Sequence, residues 1–279
     1  MRLVTYLSEG DERAGVQGAD GVIDAAAVLG TERIGVRELI AGARLEELGE
    51  AVGATDAEPI SRPELLPPLP DPDKIVCIGL NYRSHAAEAG IDPPEQPTFF
   101  AKFRNALAPP DATVNLPAAS EKVDYEAEVA FIVGRRCKEV DAADALDAIA
   151  GYMLLDDLSA RDLQFATPQW MPGKVFDGSA PCGPAIVTPD EAGAPDAISF
   201  TLDLNGERMQ EAATSDLIFS IPELLARLSH WMTLEPGDIV STGTPSGVGS
   251  VRDPRVWLKP GDEIVISSPT LGELRTTIA

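Results

Sequence analysis

Basic residues are scarce in this 279-residue chain: 22 Lys and Arg stand against 45 Asp and Glu, a formal net charge of −23. A nucleic-acid partner needs clustered Lys and Arg to meet phosphate, so the balance argues against one, and also against adsorption to anionic membranes. It leaves a small-molecule substrate open, because a local cationic pocket can persist in an acidic protein. No apolar run approaches the length of a membrane span, and the first ten residues have no signal-peptide hydrophobic core. Cysteine is sparse and unpaired. Cys77, Cys137 and Cys182 are far apart with no CxxC motif, so neither a disulfide framework nor a zinc site is expected, and a reducing cytoplasm fits best. Cys77 and Cys182 sit among apolar or small residues and read as core filling; Cys137, between Arg136 and Lys138, reads as near the surface. Histidine occurs twice, and His230 reads as packing on a helix face.

Helical patterns are also few. Val36 to Ala41 and Asp141 to Ile149 read as short helices, and Ser220-Ile-Pro-Glu223 is a capping box opening a helix to about Met232. Between 61 and 73, five prolines exclude a helix or a central strand and describe a stiff extended linker. The expected organisation is therefore a small β-rich N-terminal domain with linker, residues 1–70, and a second domain, residues 71–279. Strand patterns dominate the second: Lys74–Gly79, Thr98–Phe103, Ala127–Val133, Tyr152–Leu155, Pro184–Val187, Ile198–Leu204, Asp238–Thr242, Glu263–Ser268 and Glu273–Ile278. Asn205-Gly206 marks a hairpin leading into Glu207–Glu211. The fold class expected is α+β, or mainly β and barrel-like.

Chemistry concentrates in a few segments. In Asp124-Tyr-Glu-Ala-Glu128 the two glutamates are two residues apart, so on a strand they share a face, roughly 6.5 Å apart along the chain. Like charges on a half-buried strand repel, and a hard divalent cation would resolve the conflict. A third acid follows in Leu154-Leu-Asp-Asp-Leu-Ser-Ala-Arg-Asp162, where only one of Asp156 and Asp157 can face the glutamates; either could instead cap the following turn. Three carboxylates without a nearby histidine favour Mg²⁺, Mn²⁺ or Ca²⁺ over zinc. His85 and Glu88, three residues apart, are neighbours on a helix and form either a general-base dyad or a solvated surface pair. Lys174 in Gly173-Lys174-Val-Phe-Asp-Gly178 carries little weight alone, since a lone lysine is usually solvated. The segment Ser241-Thr-Gly-Thr-Pro-Ser-Gly-Val-Gly249 reads as backbone approaching a ligand closely.

Together these pieces, in this order over about residues 74 to 266, resemble the fumarylacetoacetate hydrolase family. The resemblance rests on Gly79-Leu-Asn-Tyr82 with His85 and Glu88, Asp124 to Glu128, Asp157-Leu-Ser-Ala-Arg-Asp162 with Gln164, Gly173-Lys174 with Phe176-Asp177, Ser220-Ile-Pro222 and Thr242 to Gly249. It implies a mixed β-sandwich roll, usually a homodimer. It also implies a divalent cation on Glu126, Glu128 and Asp157, a catalytic His85–Glu88 dyad with Lys174, and substrate contacts from Arg161, Gln164 and Thr244. The implied reaction is hydrolysis of a C–C bond in an acylpyruvate-like 2-oxo or β-diketo acid, through an enolate held by the cation. Isomerisation of a hydroxymuconate-type diacid and decarboxylation of oxaloacetate use the same machinery, so the motifs alone do not select among them. A non-catalytic metal-binding homologue would be marked by loss of an acid or of the dyad, and all are present.

Overall fold

The computed structural model describes all 279 residues. Its centre is an 11-stranded mixed sheet, whose main path runs Val22–Asp24, Asp11–Gln17, Arg2–Ser8, Ala180–Val187, Ile149–Asp156, Ala127–Val133, Ile239–Ser241, Ile75–Gly79 and Thr98–Lys102. A five-stranded sheet, ordered Glu207–Ala213, Ser199–Leu204, Glu263–Ser268, Gly272–Ile278 and Ala112–Val114, packs beside it. The expected mainly β, α+β fold is the one observed.

Alternation along the central strands explains why their sequences look continuously apolar. Val129, Phe131, Val133, Tyr152, Leu154, Val76 and Ile78 enter the core shared with the five-stranded sheet and the helix Ile221–Trp231. Ala130, Ile132, Met153, Leu155, Ile75 and Cys77 enter a second core on the opposite face. There they meet Ala25, Ala26, Leu39, Ile40 and Leu48 from the N-terminal helices. A strand buried on both faces has no polar side to show, which is the pattern of these runs. The first three strands join the edge of the central sheet through Arg2 and Leu3, which pair with Val187 and Ile186. The proline-rich stretch runs beside them: Glu64–Leu65 pairs with Leu7 and Tyr6, and Thr5 Oγ1 donates to Pro68 O.

Local signals were read well where a turn or cap decides the structure. Ser199–Leu204 and Glu207–Ala213 form the hairpin around Asn205-Gly206. Ile221–Trp231 starts at the Ser220–Glu223 capping box, and Val36–Ala41 is helical. Two expectations fail. Asp141 to Ile149 is not an α-helix but two 3₁₀ turns, Ala142–Asp144 and Leu146–Ala148, and Ile149 already opens a strand. The segment is too short to nucleate an α-helix alone, and its acids at 141, 144 and 147 repeat every three residues, the 3₁₀ period. Cys137 is fully buried rather than near the surface. It exchanges both backbone hydrogen bonds with Leu234, which turns its side chain inward while its charged neighbours point out.

The N-terminal unit has one polar anchor. Asp24 caps the helix Ala25–Leu29 by accepting from the Ala27 N–H at 2.7 Å. It also accepts from the Tyr6 hydroxyl and from Arg13 Nε at 2.6 Å and Nη2 at 2.9 Å. Replacing Asp24 by Ala removes cap and ion pair together. Chemical denaturation should show a loss of about 2–4 kcal/mol, the sum expected for a cap and partly buried charge-assisted hydrogen bonds; a loss below about 0.5 kcal/mol would contradict the anchor role.

Candidate active site

The register of two strands brings the acids together. Ala127 pairs with Asp156 and Glu128 with Leu155 in the antiparallel ladder, and beyond its end the Asp157 N–H donates to Glu126 O at 2.9 Å. Residues directly opposite in an antiparallel pair share a face. Asp157 therefore joins Glu126 and Glu128, while Asp156 goes with Ala127 to the other side. Oxygens of Glu126, Glu128 and Asp157 lie within 4.8 Å of one another, and all three residues are buried. Asp156 instead accepts from the Glu126 N–H at 2.9 Å, which fixes the strand entry.

Three cations converge on these acids. Lys174 Nζ sits 2.6 Å from Glu126 Oε2 and 2.8 Å from Asp157 Oδ2. It is only 2% exposed, the reverse of a solvated lysine. A Cβ on Gly173 would approach Ala160 O to 2.4 Å, so the absence of a side chain there lets the backbone come close enough to deliver Lys174. Arg161 bridges Asp124 and Glu126 at 2.7 Å each and donates from Nη1 to Gln164 Oε1, leaving a single N–H uncommitted. Lys102 Nζ lies 2.8 Å from Asp157 Oδ1, but its donors go to Lys174 O, Ser179 O and Ser179 Oγ. Asp157 Oδ1 consequently accepts no hydrogen bond although it is fully buried.

The electrostatics are unbalanced. Five buried carboxyl groups (Asp124, Glu126, Glu128, Asp156 and Asp157) meet three buried cations, Lys102, Arg161 and Lys174. Burial works against the Glu126 charge, but Arg161 and Lys174 outweigh it and hold that carboxyl well below the usual range. Glu128 has no such partner. Burial, then the charges of Asp157 and Glu126, push its carboxyl well above the usual range, opposed by the Ser241 hydroxyl. Burial pushes Asp156 up to about 7, with the charges of Asp157 and Glu126 adding to it. The deficit equals the charge of one divalent cation. An all-oxygen donor set fits a hard one.

A cavity of about 530 Å³ opens over the three acids and is lined by His85, Lys174, Arg161, Gln164 and Thr244 as well. His85 and Glu88 lie on the helix Arg83–Ala89, with His85 Nδ1 3.2 Å from Glu88 Oε2. The Gly247 N–H holds the other Glu88 oxygen at 2.9 Å, which ties this helix to the Thr242–Gly249 loop. Thr244 Oγ1 donates to Ala127 O and accepts from Gln210 Nε2. The structure thus gathers all nine expected site residues around one space, with Glu88 behind His85. Sequence reading missed Lys102, a lysine ending an apolar strand, and Gln210, whose amide braces both Ala127 N–H and Thr244 from the hairpin.

Comparison with known proteins agrees with this picture. The fumarylacetoacetate hydrolase C-terminal family profile matches residues 74–279, and the chain belongs to that family. It is 42% identical over 216 residues to the mitochondrial oxaloacetate tautomerase FAHD2B of Bos taurus, covering 77% of this chain and 69% of that one. Among solved structures it resembles 5-carboxymethyl-2-hydroxymuconate delta-isomerase from Mycobacterium smegmatis, with 31% identity, a TM-score of 0.79 and coverage of 100% and 98% of the two chains. It also resembles maleylpyruvate hydrolase from Sphingobium sp. SYK-6, solved with manganese(II) and pyruvate, with 31% identity, a TM-score of 0.82 and coverage of 100% and 99%. The acid triad and the manganese-bound relative support divalent-metal binding here; the relatives span tautomerase, isomerase and hydrolase.

Two substitutions separate the roles of the charges. Glu128→Gln removes the least compensated acid, so the metal-free protein should melt at a higher temperature while stabilisation by added Mg²⁺ disappears. Lys102→Met removes a buried cation and should cost about 3–5 kcal/mol in denaturant unfolding. An unchanged Mg²⁺ response in Glu128→Gln would exclude that residue as a ligand.

Proposed function

We propose that this chain is a Mg²⁺-dependent enzyme that moves a proton at the carbon next to the keto group of a 2-oxo diacid, interconverting its keto and enol forms. The observation that carries the reading is His85, backed by Glu88, lining the same cavity as three clustered acids. Glu126, Glu128 and Asp157 would hold the cation, and Mn²⁺ or Ca²⁺ would also suit carboxylate oxygens. When bound, it supplies Lewis-acid polarisation of the substrate's oxygens. The rest of the chemistry belongs to side chains. Glu88 engages His85 Nδ1, which leaves Nε2 to take a proton from the substrate carbon. The imidazolium so formed is stabilised by Glu88 and returns the proton to the substrate's 2-oxygen, so atoms and charge balance. Burial opposes the Lys174 charge, but Asp157 and Glu126 outweigh it and keep the ammonium charged, where it stabilises the developing enolate. The 42% identity to an oxaloacetate tautomerase supports this substrate class.

C–C hydrolysis of an acylpyruvate-like acid is the second reading, favoured by likeness over the full chain to a maleylpyruvate hydrolase solved with pyruvate. In it His85 takes a proton from water as the oxygen adds to the distal carbonyl. The C–C bond then breaks to give a carboxylic acid and an enolate, which regains the proton. We further propose residues 1–70 as a small N-terminal domain beside a catalytic 71–279, a cytoplasmic homodimer, and no nucleic-acid or membrane partner. The family match beginning at residue 74 supports the domain division, three unpaired buried thiols the compartment and the excess of acidic residues the lack of a nucleic-acid or membrane partner, while the homodimer rests on the family resemblance alone.

A panel of oxaloacetate, acetylpyruvate and a hydroxymuconate-type diacid, assayed with Mg²⁺, tests the reaction. Oxaloacetate enolisation should dominate, and His85→Ala should lower its kcat by about 10²–10⁴ with little change in KM, the usual contribution of a positioned base. Cleavage of acetylpyruvate faster than enolisation would replace the first reading by the second, and an unchanged kcat in His85→Ala would overturn both.

A further inference from the structure

Two cations at the mouth of this cavity have no role in the fold. Most of the chain's Lys and Arg side chains are held by carboxylates, as expected when acids outnumber them about two to one. Lys122 and Arg255 are exceptions. Both are exposed, both line the cavity, and neither side chain forms an ion pair or hydrogen bond within the protein. Their backbones are nevertheless firmly placed. Lys122 O accepts from the Arg161 N–H at 2.9 Å, and Val123 O accepts from the Leu258 N–H at 2.9 Å, which sets Lys122, just before the strand Val123–Asp124, beside the segment holding Arg255. The nearby Arg252 is a useful contrast, because its guanidinium is spent on Met209 O and Gly247 O. The one acid at this rim, Asp162, is occupied by the Ser120 hydroxyl and by the N–H groups of Glu121 and Leu163.

The cavity therefore has two cationic levels. Lys174 and Arg161 lie buried at the floor among the metal-site acids, and Lys122 and Arg255 stand exposed at the rim. Apolar side chains, including Ile91, Phe165, Trp170 and Trp257, line the same space. We propose that Lys122 and Arg255 recognise the second, distal carboxylate of a 2-oxo diacid whose keto-acid end lies at the acid triad, and so set selectivity for diacids over neutral-tailed 2-oxo acids. The proposal rests on the reading that the cavity takes a 2-oxo acid. It adds a physical reason for the two free cations: a chain of net charge −23 repels dianions at long range, and local positive charge at the mouth offsets that field where the substrate enters.

Calorimetric titration in Mg²⁺ buffer with 2-oxoglutarate and 2-oxopentanoate, which differ in a carboxylate against a methyl at the same chain length, tests the proposal without turnover. Wild type should bind 2-oxoglutarate at least about tenfold more tightly. Lys122→Gln and Arg255→Gln should each weaken 2-oxoglutarate about tenfold and leave 2-oxopentanoate unchanged, and the double variant should erase the preference. Lys259→Gln, an exposed lysine outside the cavity with the same change in net charge, should alter neither ligand. Wild type binding both ligands equally, or neither, overturns the proposal, as does an equal loss for both ligands in the variants. If the preference follows the prediction while oxaloacetate is not turned over, the reaction assignment fails and the recognition assignment stands.

Discussion

Five buried carboxyl groups sharing three buried cations at the end of a central sheet form the constraint around which this molecule is arranged. Charges removed from water must be paired or neutralised, and like charges in one site raise one another's pKa. The chain pairs what it can. Arg161 holds Asp124 and Glu126, Lys174 holds Glu126 and Asp157, and Lys102 stands against Asp157. Glu128 and Asp156 are left with hydrogen bonds alone, and theirs are the carboxyls pushed upward. Protons on Glu128 and Asp156 can fill the deficit. A divalent cation held by Glu126, Glu128 and Asp157 would fill it as well and would supply a Lewis acid at the floor of the cavity near His85.

What the sequence made legible follows from range. The Glu126–Glu128 pair depends only on strand period, the Asn205-Gly206 hairpin on turn preference and the Ser220 cap on one helical turn, and each could be read locally. The choice between Asp156 and Asp157 could not, because it depends on which residue of one strand stands opposite Glu126 in another, a register set by side chains across the whole sheet. The family motif pointed to Asp157 without that reason. Lys174 and Lys102 illustrate the same limit: burial of a lysine is a property of the assembled fold, visible only when Glu126 and Asp157 are seen around it. Cys137 and the 141–149 segment failed for a related cause, since pairing with Leu234 and a strand beginning at Ile149 are tertiary decisions that override local pattern.

The same arrangement explains why relatives of one architecture carry different reaction names. In the proposed reading the acids, Lys174 and the dyad would serve the formation of an enolate, a step common to tautomerisation, isomerisation and C–C cleavage. Which bond changes next depends on the substrate and on whether water reaches it. In this chain the walls and rim of the cavity are where a side chain can change without disturbing the buried charge network, and selectivity can be set there.

The central claim, that a divalent cation supplies the charge this site lacks, is tested most directly by titrating the metal-free protein with Mg²⁺ while measuring proton release across pH. A raised carboxyl pKa means that protons occupy the site below it and compete with the cation. Affinity should therefore increase as pH rises into the raised range of the Glu128 carboxyl, which burial and the charges of Asp157 and Glu126 push upward, with protons released on binding below that range. Mg²⁺ binding that is independent of pH and releases no protons, or no binding at all, would contradict the account.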